Sequence, residues 1–325
     1  MSGSDSVDVW YTCDQTRCNF ACPYCVTETE RALAEHRMWA TDDGRVRYQR
    51  VLSWLSGLPW RLGIRLQTLG EPFVSKEFLE GAAWLSRQEN VRFVELVSNA
   101  SFTPTQLRKF VASARVDRLS LWATYHHGQI ELVRFIAACG EAQRLGIHVV
   151  AHALVFPDTI DATRAMIRDC QREGIRTDVT LGLNSNVVYP GLGVVPAATT
   201  HLSVVPELYR DEAAIEAFRT AMTRWRGQPC SAGHDYFRVM ENGDVYPCGA
   251  YGLLMQAKLG SALDDGFVPK LREETYGPCN GYTACFCKED YFHLKIAREK
   301  LSFERSLGYY KQNSEASARL TLVKE

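Results

Sequence analysis

The 325-residue sequence has no apolar run approaching the roughly 18 residues that a membrane-spanning helix needs. Its opening stretch, Met1 to Asp8, has neither the basic nor the apolar segment of a secretory signal, so a cytoplasmic protein without membrane contact is expected. Charge of one sign is missing too: 37 Lys and Arg stand against 38 Asp and Glu, for a net charge of -1. No global field would then gather nucleic acid or anionic lipid. There is no G-x-G-x-x-G, Walker A, H-E-x-x-H or G-x-S-x-G, which leaves dinucleotide, P-loop, zincin and hydrolase readings without support. With 46% hydrophobic and 23% charged residues, the chain is neither disordered nor fibrous.

Cysteine is the residue in excess, with eleven in the chain. In a reducing compartment a disulfide framework is disfavoured, and metal binding or catalysis becomes the better reading. Cys18, Cys22 and Cys25 form one tight group, and Cys230, Cys248, Cys279, Cys285 and Cys287 fall in the last third. Cys13, Cys139 and Cys170 are scattered, and each reads as a core thiol.

From Val7 to Val205, short apolar runs alternate with helical stretches, the pattern of repeated βα units around a parallel sheet. Strands are expected at Val7–Tyr11, Leu62–Gln67, Val91–Val97, Leu119–Trp122, Ile147–Val155 and Thr177–Leu183. Helices are expected around Trp54 and Leu55, and at Phe78–Arg87, Thr105–Ala114, Ile130–Leu145 and Asp161–Glu173. Gly146 and Gly174 stop the last two of these. Six units are fewer than the eight of a closed barrel, so the expected fold is α/β, a partial (β/α)6 TIM-like barrel. A Gly- and Pro-rich stretch at 186–206 reads as a loop or boundary, followed by a helix at Asp211–Trp225. The resulting division is a barrel over 1–207, a small cysteine-rich domain over 208–295 and a polar helical tail over 296–325.

Cys18-Asn19-Phe20-Ala21-Cys22-Pro23-Tyr24-Cys25 is C-x3-C-x2-C in a loop just after the first strand. Thiolates at this spacing converge on one metal centre, and three of them on a four-iron cubane leave one iron for a non-protein ligand. A zinc site usually takes four donors in paired spacing, and no partner pair lies nearby, although zinc and inert thiols stay as alternatives. Downstream, Phe237–Met240 and Asp244–Tyr246 flank Asn242-Gly243, a hairpin turn signal. That hairpin is expected to bring Cys230 and Cys248 together. His126-His127 reads as an exposed loop pair, and His152 as either a core residue or one facing the barrel interior.

The first cysteine group, with Thr16-Arg17 before it and Tyr24 before its last thiol, resembles the signature of the radical S-adenosylmethionine (SAM) superfamily. Leu69-Gly70-Glu71-Pro72 is similar to that family's Gly-Gly-Glu-Pro motif, with Leu69 in place of the first glycine. Ser98-Asn99-Ala100 occupies the place of its Thr-Asn-Gly turn. Ser120 resembles a strand-end serine of the family, although the usual Asp-Gly after it is missing. The resemblance implies that Cys18, Cys22 and Cys25 hold a 4Fe–4S cluster whose open iron chelates SAM. It implies that Gly70, Glu71, Pro72, Ser98, Asn99 and Ser120 line the SAM site.

The Cys230 to Cys287 segment resembles the SPASM/twitch extension of the same superfamily, in its shorter one-cluster form. The implied cofactors are therefore two 4Fe–4S clusters and SAM, the second cluster held by four of Cys230, Cys248, Cys279, Cys285 and Cys287. One of Cys279, Cys285 and Cys287 would be spare. A flavodoxin- or ferredoxin-type electron donor is the implied redox partner.

In this superfamily a 5′-deoxyadenosyl radical takes a hydrogen atom from the substrate. The compact chain resembles enzymes that epimerise or oxidise aminoglycosides and aminocyclitols, so a small carbohydrate or aminoglycoside intermediate is the expected substrate. Epimerisation of a carbinol carbon, with the spare thiol returning hydrogen, is the first reading. Dehydrogenation through the auxiliary cluster is the second, and modification of a peptide or protein the third. With 17 residues before Cys18, no N-terminal peptide-binding domain is expected.

Overall fold

The computed structural model describes residues 5–25, 42–181, 224–249, 257–279 and 293–295. Six parallel strands with intervening helices make up its main part: β1 (Ser6–Cys13), β2 (Arg61–Thr68), β3 (Val91–Ser98), β4 (Leu119–Tyr125), β5 (His148–Val155) and β6 (Arg176–Leu181). The helices are α1 (Asp42–Ser56), α2 (Lys76–Ser86), α3 (Pro104–Ser113), α4 (Leu132–Arg144) and α5 (Ile160–Arg172). This is the expected mixed α/β fold around a parallel sheet. The 186–206 loop, residues 211–223 of the expected helix, Cys285, Cys287 and the tail beyond 295 lie outside the described residues.

Period-two patterning decides which way each strand faces. On β1, Val7, Val9, Tyr11 and Cys13 join the main apolar core, while Asp8, Trp10 and Thr12 face the other way. The same alternation puts Leu62, Ile64 and Leu66 of β2 in the core and Arg65 and Gln67 opposite. Helix ends follow local chemistry. Thr103 and Gln106 form a capping box ahead of α3, with Pro104 in its first turn. Gly146 and Gly174 adopt φ of 89° and 66° after α4 and α5, a left-handed backbone that ends a helix with little strain in glycine.

The inward faces are not apolar. Arg65 lies between the rings of Trp10 and Trp122, with its guanidinium carbon 5.1 and 4.8 Å from their centroids. Glu95 on β3 accepts from Arg65 Nε at 2.8 Å and Nη2 at 2.5 Å, and both residues are buried. Arg238 covers Trp10 at 4.5 Å and donates to Thr12 Oγ1 at 3.0 Å. This stack fills the barrel at the level where Trp10, Arg65, Glu95 and Ser120 stand opposite one another on neighbouring strands.

The C-terminal segment supplies β7 (Pro229–Cys230), β8 (Tyr236–Val239), β9 (Asp244–Tyr246), β10 (Gly260–Ser261) and β11 (Gly277–Pro278). The hairpin expected around Asn242-Gly243 is there, joining β8 to β9. Its loop is a turn closed by Gly243 N–H to Met240 O at 2.9 Å, and Gly243 has φ of 87°. The hairpin also extends the barrel sheet, because β8 pairs in parallel with β1 and gives the order β10-β9-β8-β1-β2-β3-β4-β5-β6. Among the described residues no helix is long and apolar enough to cross a membrane.

Candidate active site

The Cys18–Cys25 loop leaves the C-terminal end of β1, and the turns after β2, β3, β4 and β5 all touch it. After β2, Glu71 N–H donates to Arg17 O at 2.9 Å. A Cβ on Gly70 would overlap the Arg17 carbonyl, so only glycine lets the two backbones approach this closely. After β3, Asn99 Nδ2 donates to Asn19 Oδ1 at 3.0 Å, and Asn19 Nδ2 to Ser101 Oγ at 2.8 Å. After β4, Gln129 Oε1 accepts from Ala21 N–H at 3.0 Å, and His126 Nδ1 lies 3.4 Å from Cys22 Sγ. After β5, Phe156 packs on Tyr24 with centroids 4.8 Å apart.

Glu71 is buried, and its carboxylate is committed to the chain. It accepts from Ser98 Oγ at 2.7 Å, Asn99 N–H at 2.7 Å and Phe73 N–H at 3.1 Å. Burial pushes its carboxyl up to about 7, against the pull of those three donors. Gln15 Nε2 donates to the Glu71 carbonyl at 2.7 Å. Glu71, Ser98 and Asn99 are therefore brought together as expected, with the Glu71 side chain tying the β2 and β3 turns to each other. Glu71→Ala strips an acceptor from three buried donors, each unsatisfied donor costing about 1–3 kcal/mol before water enters. A stability loss of about 3 kcal/mol is expected in urea unfolding, and a loss below about 1 kcal/mol would show that the turns hold without it.

Ser120 takes a different place from the strand end assigned to it. Strand β4 runs on to Tyr125, so Ser120 is its second residue, and its Oγ donates to Glu95 Oε2 at 3.1 Å. The inward-facing residue near the C-terminal end is Thr124, about 13 Å farther along at roughly 3.3 Å per residue. Thr124 Oγ1 lies 3.2 Å from His152 Nδ1, and the His152 ring rests on Trp122 with centroids 5.1 Å apart. His152 is thus both buried and inward-facing. Reading β4 three residues short concealed Thr124, since Ala123 and Thr124 weaken the apolar run.

His126 also departs from the expected exposed pair. Its ring stacks on Tyr24 with centroids 5.9 Å apart, meets Phe20 edge-on at 5.9 Å, and places Nδ1 3.3 Å from Tyr24 Oη. Burial lowers its pKa to about 4, so the ring is neutral near pH 7. No spacing signal in the sequence linked His126 to the cysteine loop about 100 residues earlier. The remaining thiols behave as read: Cys13, Cys139 and Cys170 are buried, and burial pushes all three thiols well up, Cys170 to about 12.

Among the described residues, no three His, Cys, Asp or Glu side chains close on one metal ion. The donor set at the β1 loop nevertheless suits an iron–sulfur cluster. It offers three half-buried thiols, and Cys18 Sγ already has Phe20 N–H at 3.4 Å and Asn99 Nδ2 at 4.0 Å. Such N–H donors are what the sulfurs of a cluster take.

In the C-terminal segment Cys230 sits on β7 opposite Gly277 of β11, and Cys279, just past that strand, donates its N–H to Gln228 O at 2.8 Å. Cys248 packs beside Trp10, Phe93 and Tyr236, the cluster that Ala232 also joins. The expected hairpin forms, and Cys230 lies on the two-stranded β11-β7 sheet. Cys285 and Cys287 fall outside the described residues.

No family model and no curated protein matches the sequence. Solved structures match the fold. Native anSMEcpe with bound AdoMet and Cp18Cys peptide is similar over 97% of this chain and 96% of its own, at 12% identity and a TM-score of 0.52. SuiB of Streptococcus suis is similar over 80% of this chain at 13% identity and a TM-score of 0.51. SuiB bound to its precursor peptide SuiA gives 14% identity and the same score. The chain spans 64% of the length of SuiB. The architecture is therefore the partial TIM-like barrel shared with these proteins, one of them an AdoMet-binding protein.

Proposed function

We propose that the chain is a radical SAM enzyme of the SPASM/twitch group, acting on a carbon–hydrogen bond of a substrate held at the mouth of the barrel. The observation that supports this most is the convergence of four successive strand-end turns on the three-cysteine loop. In this reading Cys18, Cys22 and Cys25 hold a 4Fe–4S cluster, and Gly70, Glu71, Pro72, Ser98 and Asn99 build the wall of the SAM site. Thr124 stands at the mouth where Ser120 was expected. Bound there, the cluster and SAM would supply radical chemistry able to take a hydrogen atom from a substrate carbon.

The chain's own contribution is positional. Glu71 locks two turns against the cysteine loop. The Trp10–Arg65–Trp122 stack closes the barrel beneath the mouth, so water is excluded from below. A second 4Fe–4S cluster on four of Cys230, Cys248, Cys279, Cys285 and Cys287 completes the reading, with a flavodoxin- or ferredoxin-type protein as electron donor.

For the reaction, epimerisation of a carbinol carbon in a sugar or aminoglycoside intermediate is the first proposal, with one of Cys279, Cys285 and Cys287 returning hydrogen. Dehydrogenation of the same carbon is its alternative. Peptide modification is the third reading, supported by the peptides bound in the anSMEcpe and SuiB–SuiA structures. Turnover in D2O separates these outcomes, because a thiol hydrogen exchanges with water and a carbon-bound one does not. Epimerisation gives a product with one deuterium on the inverted carbon. A product two mass units lighter without deuterium identifies the dehydrogenase, and turnover of peptides alone identifies the peptide-modifying reading.

A further inference from the structure

We propose that His126 donates a hydrogen bond from Nδ1 to the Cys22 thiolate and thereby raises the reduction potential of the cluster that Cys18, Cys22 and Cys25 hold. The inference rests on the cluster reading above, but it concerns a residue on a different loop that the motif does not include. His126 follows β4, and its Nδ1 lies 3.4 Å from Cys22 Sγ and 3.3 Å from Tyr24 Oη. A thiolate bound to iron accepts hydrogen bonds and donates none, so a hydrogen bond between the two requires the tautomer with the proton on Nδ1. The Tyr24 hydroxyl then accepts from the same N–H, and its own proton is left to face Cys22, its other side-chain partner.

The ring cannot swing away easily, because Tyr24 stacks on one side of it and Phe20 meets it edge-on. Both aromatic residues belong to the cysteine loop itself, so loop and histidine hold each other in register. Gln129, three residues on, pins the same loop through Ala21 N–H. Reduction adds one electron to the cluster and part of its charge falls on the cysteine sulfurs. A fixed N–H aimed at one of them stabilises that charge and raises the potential. Cys18 receives the corresponding service from Phe20 N–H and Asn99 Nδ2.

The test is an anaerobic redox titration of the reconstituted full chain, followed by EPR, with iron and sulfide measured on each sample. His126→Phe keeps an aromatic ring against Tyr24 and Phe20 and removes the donor. Its midpoint potential is expected to move to more negative values with iron content unchanged. His126→Asn places an amide N–H near the position of Nδ1 and is expected to return the potential towards wild type. A Phe variant with the wild-type potential overturns the inference, as does an Asn variant shifted as far as Phe. Wild-type protein labelled with 15N-histidine supplies a measurement free of folding effects: a 15N coupling to the reduced cluster is expected in pulsed EPR. Its absence also overturns the inference. A wild-type chain that takes up no iron and sulfide overturns the cluster reading instead, so the two failures are distinguishable.

Discussion

Replacing Cys18, Cys22 and Cys25 together by Ala is expected to remove about four iron and four sulfide from the anaerobically reconstituted protein. It should also abolish formation of 5′-deoxyadenosine from SAM. The fold should survive, because the thiols are half-buried and sit on a loop outside the main apolar core. What anchors that loop is the set of contacts through Arg17, Asn19, Ala21 and Tyr24, and all four residues remain in the variant. Circular dichroism with iron and sulfide analysis checks the outcome. Unchanged iron would place the cluster elsewhere, and a chain that still cleaves SAM would remove the loop from the chemistry.

The second large effect lies in the barrel interior. Glu95→Ala is expected to cost about 3–5 kcal/mol, because it leaves the Arg65 charge buried between two tryptophans without its carboxylate. Ser120 loses its acceptor in the same step. The double variant Arg65→Met, Glu95→Leu removes both charges and keeps most of the volume, so much of the loss should be recovered. Urea unfolding of the two variants checks this. A Glu95→Ala cost below about 1 kcal/mol would mean that solvent reaches the stack and that the barrel is open beneath its mouth.

The strand and helix order was legible because each βα unit writes its own local signal. Period-two runs such as Val7 to Tyr11 mark strands, and Gly146, Gly174 and Thr103-Pro104 mark helix ends. The three-cysteine loop was legible because its residues are contiguous. The fold found is the partial barrel that the count of six βα units implied. What stayed hidden was whatever depends on distant parts of the chain. His126 comes to Cys22 only because β1 and β4 are both parallel strands of one sheet, so that their C-terminal ends lie at the same rim. The commitment of the Glu71 carboxylate to Ser98 and Asn99 likewise needs β2 and β3 to be neighbours. The Arg65–Glu95 pair gave no sign in sequence, since a charge inside a strand reads as an outward-facing residue until its neighbours are known. Strand length was also hidden: β4 runs three residues past its expected end, to Tyr125, which leaves Ser120 near its start and Thr124 near its end.

The central claim is that the loop after β1 holds a cluster that binds and cleaves SAM, and EPR of the reduced wild-type chain with and without SAM tests it most directly. About eight iron and eight sulfide per chain are expected, with a 4Fe–4S signal whose shape changes when SAM is added and with release of 5′-deoxyadenosine. Stoichiometric zinc without sulfide in anaerobic protein, or a cluster signal indifferent to SAM, would contradict it.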